Sequence, residues 1–188
     1  MSPPASPFEL KRAELTERLA DLALRDGMSP FALRDLAAAL ATSDRMLLYY
    51  FTSKSELVRA VLRRISRRMA AALAGSALDR RLPPDRFLTQ AWSLLTDPAL
   101  APYMGVWAEI TALGARGEQP YREAARAGIV GWRNWVAERL DVAEGPHKAV
   151  LAAGVLTLLE GATLLELSLP GSTAGVRELF AEALAGAA

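Results

Sequence analysis

The sequence predicts an all-α protein of about nine helices. Apolar residues recur along most of the 188-residue chain at the three- and four-residue spacing of one helix face, and no run alternates as a strand does. Proline and glycine clusters separate the periodic segments, which is where helices are expected to end. With 52% hydrophobic and 23% charged residues the chain is predicted to be globular, as one domain or two small ones.

The first helix is predicted at residues 8–25, because Leu15, Leu19, Leu22 and Ala23 share one face. Gly27 follows as its C-terminal stop. Residues 1–7 hold three prolines and lack the basic and apolar regions of a signal sequence, so we expect a disordered tail. Without a signal sequence and without cysteine, a cytoplasmic location is expected.

Two short helices at residues 33–40 and 44–50, separated by the break at residues 41–43, predict a helix-turn-helix. Ser43 is the expected N-cap of the second of them. Ser53 and Glu56 match a capping box, which predicts a fourth helix reaching about residue 73.

Five further helices complete the predicted architecture. They are expected from residue 84 to about 96, at 103–115, 121–140 and 146–169, and after Ser172 or Thr173, which can cap the last one. The last helix carries a regular apolar stripe of Val176, Leu179, Phe180, Ala183 and Leu184.

Charge and side-chain type favour DNA binding by the helix-turn-helix. Residues 1–68 hold 12 Lys and Arg against 8 Asp and Glu, a net charge of +4, whereas the rest has −3. The first turn of the helix at 44–50 offers Asp44, Arg45 and Met46 to base edges, and Tyr49, Tyr50 and Lys54 suit phosphate oxygens. Spacing alone leaves an alternative open, in which the aromatic residues are core and Lys54 is ordinary surface.

The segment resembles the DNA-binding signature of TetR-family transcriptional regulators. The residues that carry the resemblance are LRDLAAAL at 33–40, Thr42-Ser43, and LLYYFTSKSEL at 47–57, within a match of about residues 8–60. The resemblance implies a DNA-binding domain at 1–55 and a domain for ligand binding and dimerisation at 56–188. It further implies a dimeric repressor that leaves a palindromic operator when a small molecule binds.

The resemblance also implies roles for individual residues. Asp44, Arg45 and Met46 fall on base-reading positions; Arg34, Tyr49, Tyr50 and Lys54 fall on backbone-contact positions; Leu40, Leu47 and Phe51 fall on the small core. The predicted DNA-binding residues are therefore Arg34, Thr42, Ser43, Asp44, Arg45, Met46, Tyr49, Tyr50 and Lys54.

Four positions depart from the family's pattern. Leu48 replaces a second tyrosine, Tyr50 replaces a common histidine, and Arg45 replaces a small residue, so the operator should differ from better-known ones. Ala32 replaces the Ser or Thr that usually caps the second helix, so Ser29-Pro30 are expected to start that helix earlier.

Candidates for the effector site are the aromatic and polar residues of the C-terminal part: Trp92, Tyr103, Met104, Trp107, Thr111, Trp132, Trp135 and Glu160. Their composition suggests an apolar or aromatic effector. Aromatic residues at helical spacing also suit a plain core, and Glu160 also suits a structural ion pair or a solvated edge, so these alternatives stay open.

The segment from Pro146 to Leu169 is long enough to cross a bilayer. Glu160 and Glu166 within it favour a helix buried in protein instead. Because this helix is apolar nearly all round, it is expected to pair with a second copy, together with the helix from Ala174 to Leu184, as a four-helix bundle.

Enzymatic chemistry finds little support in the sequence. There is no cysteine, one histidine (His147), no Gly-rich phosphate loop and no metal-ligand spacing, so no cofactor or metal is expected. An arginine stripe on the fourth helix, Arg59, Arg63, Arg64, Arg67 and Arg68, is open to two interpretations, attraction to DNA or a solvated face. A helical small-molecule carrier without DNA binding, or an activator of the same fold, remain the alternative functions.

Overall fold

The computed structural model describes residues 6–28 and 32–185, and within them it contains nine α-helices and no strand. In chain order the helices are α1 Pro7–Asp26, α2 Leu33–Ala39, α3 Asp44–Phe51, α4 Lys54–Leu73, α5 Pro84–Leu95, α6 Ala101–Ala115, α7 Tyr121–Arg139, α8 Pro146–Ser168 and α9 Val176–Ala185. The all-α prediction is confirmed, and most helix ends lie within two residues of those expected.

The start of α1 corrects the predicted tail at residues 1–7. Ser6 and Glu9 form a complete capping box, in which the Ser6 N–H donates to Glu9 Oε2 at 2.7 Å and the Glu9 N–H donates to Ser6 Oγ at 3.2 Å. Pro7 is the first helical residue, where its fixed φ and missing N–H are tolerated. Residues 1–5 lie outside the described residues.

Several local signals act as predicted. Gly27 ends α1 with φ of 79°, and its N–H donates to the Ala23 carbonyl. Ser43 caps α3 by accepting from the Met46 N–H, and Ser53 caps α4 by accepting from the Glu56 N–H.

Two capping predictions are wrong, and a third concerns residues outside those that the structure describes. Glu56 does not return to the Ser53 N–H, because its carboxylate accepts from Arg12 and from the Thr52 hydroxyl. Neither Ser172 nor Thr173 is the N-cap of α9, because the helix begins at Val176, and the Thr173 hydroxyl donates to Glu166 instead. Ala32 is the N-cap of α2 without a side-chain bond, and the proposed starters Ser29 and Pro30 fall outside the described residues.

Helices α1–α3 and the first half of α4 form a compact head around one apolar core. Leu40, Leu47 and Phe51 are buried there, as expected. Val106 and Ile110 of α6 belong to the same core. The body, by which we mean helices α5–α9, is therefore packed directly against the head. A second core lies between α5, α7, α8 and α9, and the second half of α4 reaches a third small cluster beside it.

Helix α8 is apolar on two faces but buried on one. It passes the length and composition test for a membrane span, yet only 28% of its most apolar window is buried. Ala152, Val155 and Leu159 face the second core, whereas Val150 and Leu164 are 70% and 56% exposed. The prediction of a buried helix therefore holds for one face only, and the other face leaves an apolar surface uncovered in the single chain.

Candidate DNA-binding surface and effector cavity

Helix α3 is anchored by its inward face and offers its first turn to solvent. Leu47 and Phe51 are fully buried in the head, one turn apart on one side of the helix. Asp44, Arg45 and Met46 lie exposed at the N-terminal end. A helix held in this way has its first turn free to contact a partner, and an α-helix is of a size that fits the major groove of DNA.

The turn before α3 sets its direction. Ala41 adopts a left-handed φ of 53°, and the Thr42 N–H donates to the Ala37 carbonyl at 2.9 Å, which closes the end of α2. Ser43 then caps α3 from an extended backbone, so the two helices are joined by a tight turn. Thr42 is half-buried and Ser43 is exposed at the mouth of this turn.

Three cations of the head stand outside its ion pairs. Arg34, Arg45 and Lys54 are exposed, and none has a carboxylate within 4.0 Å among the residues that the structure describes. By contrast Arg12 pairs with Glu56 at 2.5 Å and also donates to the Tyr50 carbonyl. The positive charge that can meet phosphates is therefore concentrated around α2, α3 and the start of α4.

An aromatic cluster joins α1 to α3. The Phe8 ring lies 5.5 Å from the Tyr49 ring and 5.1 Å from the Tyr50 ring, measured between centroids. Tyr49 is 62% exposed, whereas Tyr50 is half-buried against the head core. Phe8 was not among the predicted site residues; an apolar residue in the first turn of α1 is the signal that marks it.

The arginine stripe of α4 is mostly tied to neighbouring helices. Arg64 and Arg68 both pair with Glu17 of α1, and Arg59 pairs with Glu123 of α7 at 3.2 Å. Arg63 and Arg67 remain exposed. Three of the five arginines therefore link α4 to neighbouring helices. This role differs from both predicted ones, attraction to DNA and a solvated face.

A cavity of about 580 Å³ lies in the body, between α4, α5, α6, α7 and α8. The structure brings six of the eight predicted effector residues to its wall: Tyr103, Met104, Trp107, Trp132, Trp135 and Glu160. Trp92 does not reach it, because its ring is buried in the second core. Thr111 does not line it either, and its hydroxyl donates to the Trp107 and Ala108 carbonyls.

Helix α4 forms a wall of the cavity that the sequence did not predict. Arg59, Arg63, Ser66 and Met69 line the cavity at helical spacing. Their three- and four-residue spacing is visible in the sequence, but arginines on a helix are also typical of a solvated face, so the spacing does not predict a cavity wall. The helix that starts at Lys54 in the head therefore ends beside the cavity.

Glu160 brings a carboxylate into this largely apolar wall. Its Oε2 accepts from the Trp107 indole N–H at 2.7 Å. No Lys or Arg nitrogen lies within 4.0 Å of it among the described residues, and Trp107 is its one described side-chain donor. Burial raises the pKa of Glu160, and the Trp107 hydrogen bond offsets part of that rise.

Trp107 is held from the other side by a glycine of α7. A Cβ on Gly128 would lie 2.5 Å from two atoms of the indole ring, closer than real side chains approach. One turn later, Gly131 also lines the cavity, but a Cβ there would meet nothing within 4 Å. Gly128 therefore permits the close approach of α6 and α7 that positions Trp107 beside Glu160.

Helix α6 also contacts the head, two residues beyond Trp107. Glu109 Oε2 accepts from the Met28 N–H at 2.8 Å, just past the end of α1. The Glu109 carboxylate occupies the space that a Cβ on Gly27 would need. One helix thus carries both a cavity wall and a polar contact to the segment between α1 and α2.

Comparison with known proteins agrees with this arrangement. Residues 15–61 match the model of bacterial regulatory proteins of the tetR family, whereas no curated protein matches the sequence. A transcriptional regulator from Rhodococcus sp. Rha1 is 24% identical, with 92% of this chain and 91% of that chain covered and a TM-score of 0.70. A TetR-family regulator from Cytophaga hutchinsonii is 16% identical, with 98% of each chain covered and a TM-score of 0.78.

A third similar structure was solved with a small molecule. It is a putative transcriptional regulator from Saccharomonospora viridis in complex with choline, 20% identical, with 94% of each chain covered and a TM-score of 0.63. The likeness to these solved structures extends over nine-tenths or more of the chain. Residues 15–61 thus match the tetR family model, and the chain as a whole has the fold of the solved TetR-family transcriptional regulators.

Proposed function

We propose that this protein is a dimeric transcriptional repressor that a small molecule with an apolar or aromatic body releases from its operator. The observation that carries the proposal is the sharing of α4 and α6 between head and cavity. Both helices line the cavity, and both contribute apolar residues to the core of the head. A molecule that fills the cavity therefore acts on the two helices that support the DNA-binding surface.

In this proposal, base edges are read by Asp44, Arg45 and Met46 of α3, and Thr42 and Ser43 approach the backbone at the turn. Arg34, Tyr49, Tyr50 and Lys54 contact phosphates. The exposure of Arg34, Arg45 and Lys54, without a carboxylate partner among the described residues, supports these roles. An arginine can donate two hydrogen bonds to one guanine, so Arg45 is the main specificity determinant.

Helix α6 is the proposed route from cavity to head. Trp107 touches the site where the effector sits, and Glu109 holds the Met28 N–H beyond the end of α1. A shift of α6 that accommodates a ligand therefore moves or breaks the Glu109 bond and changes the position of α1. We divide the chain functionally at residues 55 and 56, although α4 continues through that boundary.

A second copy of the chain is the proposed partner of α8 and α9. Val150, Leu164 and Leu165 of α8 are exposed, and so is Leu179 of α9. On the same side of α8, Gly154 has open space around it, so another helix can approach closely. Burying this apolar surface in a four-helix bundle gives a two-fold dimer, which fits a palindromic operator and a cytoplasmic regulator.

The alternatives rest on the same fold. A carrier without DNA binding has no use for the exposed cations of the head, which favours the regulator. A repressor and an activator differ in where the operator lies relative to the promoter, so reporter expression with and without the regulator's gene separates them. The choline complex of the similar regulator from Saccharomonospora viridis supports a small-molecule effector in this fold.

The first experiment is fluorescence anisotropy of the protein with labelled DNA from upstream of its own gene, beside an unrelated duplex, at several salt concentrations. We expect preferential binding to the upstream DNA that weakens with salt. Failure to bind any duplex at low salt contradicts the regulator and favours the carrier. Binding to all duplexes alike means that the operator lies elsewhere, and selection of bound genomic fragments then finds it.

Two substitutions separate the proposed roles. Lys54→Ala should weaken binding to every duplex and reduce the salt slope by about one unit. Arg45→Ala should cost about 1–3 kcal/mol on the preferred site only. Arg86→Ala is the matched control, because it removes an exposed arginine from α5 in the body. If Lys54→Ala and Arg45→Ala both bind DNA as the wild type and the control do, the proposed DNA-binding surface is wrong.

A further inference from the structure

We propose that the effector is an organic cation, an amine or quaternary ammonium compound whose positive nitrogen pairs with Glu160 while its apolar body packs against the tryptophans. This inference rests on the proposed function only for its regulatory consequence. As a statement about what the cavity binds, it rests on the wall of the cavity itself.

Glu160 has no cationic partner among the described residues. Its carboxylate lies inside a mainly apolar cavity, and its one described side-chain donor is the neutral Trp107 indole. Trp107 binds Oε2, which leaves Oε1 without a donor from the described residues. A carboxylate in such surroundings is stabilised by a positive charge, because water no longer screens it fully.

The rest of the cavity lining is rich in aromatic side chains. Trp132 and Trp135 meet edge to face, with centroids 5.7 Å apart, and Trp107 and Tyr103 lie on the neighbouring helix. The faces of indole and phenol rings attract cations, most strongly when the site is shielded from water. The cavity lining therefore combines a carboxylate with four electron-rich rings, of which Trp135 already has the Arg139 guanidinium 4.3 Å from its ring centroid.

The basic residues of the cavity do not favour an anion instead. Arg59 is already paired with Glu123 at 3.2 Å. Arg63 is exposed, so water screens its charge. Glu160 is the more enclosed of the opposite charges, and its field therefore dominates the interior. A neutral apolar ligand would bury the carboxylate further and leave it without a counter-charge.

The test measures quenching of intrinsic tryptophan fluorescence, since three tryptophans line the cavity. The probes are benzyldimethylalkylammonium ions with methyl, butyl and octyl chains. Neopentylbenzene, in which carbon replaces the nitrogen of the methyl compound, is the neutral isostere, and phenylacetate is the anion. We expect saturable quenching by at least one cation, and weaker binding of the isostere and the anion. Equal binding of the isostere, or no binding of any cation, overturns the inference.

Glu160→Gln is the critical variant, because it keeps the shape of the side chain and removes the charge. We expect about tenfold or greater loss of affinity for the cations and little change for neopentylbenzene. Asp141→Asn is the matched control, an exposed carboxylate in the loop between α7 and α8 that does not line the cavity. Unchanged cation affinity in Glu160→Gln overturns the inference.

The pH dependence of the wild type gives a second readout that does not depend on the variant's folding. Affinity for a quaternary ammonium ion should fall as acid protonates Glu160, while affinity for the neutral isostere stays constant. The other ionisable groups on the wall are Arg59 and Arg63 of α4, Tyr103 of α6 and Glu123 of α7. Glu123 is already paired with Arg59 at 3.2 Å. A flat profile contradicts the pairing.

Addition of labelled operator DNA separates this inference from the proposed function. Cations that bind through Glu160 but leave the DNA complex intact uphold the ligand class and contradict ligand-induced release. Release by the neutral isostere as effective as release by the cations upholds the regulator and contradicts the ligand class.

Discussion

The contact between Gly128 and Trp107 leads to a prediction whose size follows from the geometry. In Gly128→Ala the new methyl lies 2.5 Å from the indole ring, so Trp107 must move by roughly 1 Å to restore ordinary contact. Overpacking of this kind costs about 1–3 kcal/mol. The gain in helix propensity from replacing glycine by alanine offsets about 1 kcal/mol of that cost.

Gly131→Ala is the matched control, on the same helix and one turn later. Its methyl enters open space, so it should show the propensity gain of about 1 kcal/mol without the collision. The two variants should therefore differ by about 1–3 kcal/mol, which for a chain of this size corresponds to roughly 2–12 °C in Tm. Thermal unfolding followed by circular dichroism, at one protein concentration, measures the difference.

The outcome that refutes this reasoning is a Tm of Gly128→Ala equal to or above that of Gly131→Ala. Tryptophan emission gives an independent check, because displacement of Trp107 from Glu160 changes the surroundings of its indole N–H. An unchanged emission spectrum in Gly128→Ala would show that the helices separate without moving the ring.

Three further predictions concern polar groups. Because burial raises the pKa of Glu160, its contribution to stability is present below the ordinary carboxyl pKa and is lost as pH rises through the raised value; Glu160→Gln should thus raise Tm at neutral pH but not in strong acid. Equal Tm differences at both pH values would contradict this. Glu109→Ala should speed amide exchange at Met28, measured by hydrogen exchange and mass spectrometry, and unchanged exchange would rule out the bond. Ser6→Ala should lower the free energy of unfolding by about 1 kcal/mol in urea titrations, while Ser172→Ala, whose side chain makes no hydrogen bond to the described residues, should not.

Sequence reasoning succeeded where the signal was local. The caps at Ser43 and Ser53 and the stop at Gly27 depend on residues within one helical turn, so their spacing predicts them directly. The same reasoning missed the box formed by Ser6 and Glu9, because three nearby prolines indicated a tail. A proline at the first helical position is favourable, so the same residues support the opposite interpretation.

Contacts between distant segments were beyond the sequence. Glu56 had two possible partners, and Arg12, 44 residues away, competes successfully with the backbone of Ser53. Glu109 and Met28 are 81 residues apart, and neither carries a motif. The division of the tryptophans between core and cavity likewise depends on which way each helix turns its faces, which hydrophobic spacing in a helix with several apolar neighbours leaves undetermined.

Under the proposed ligand response, the position of Trp107 and Glu109 on one helix has a practical consequence for building biosensors from this protein. Two residues apart, they point about 200° away from each other around the axis of α6, one toward the cavity and one toward the head. A library aimed at new effectors should therefore vary the walls supplied by α7 and α8, where Gly131 and Leu156 line the cavity. Leaving α6 unchanged should preserve the coupling of the cavity to the head while the ligand preference of the cavity is altered.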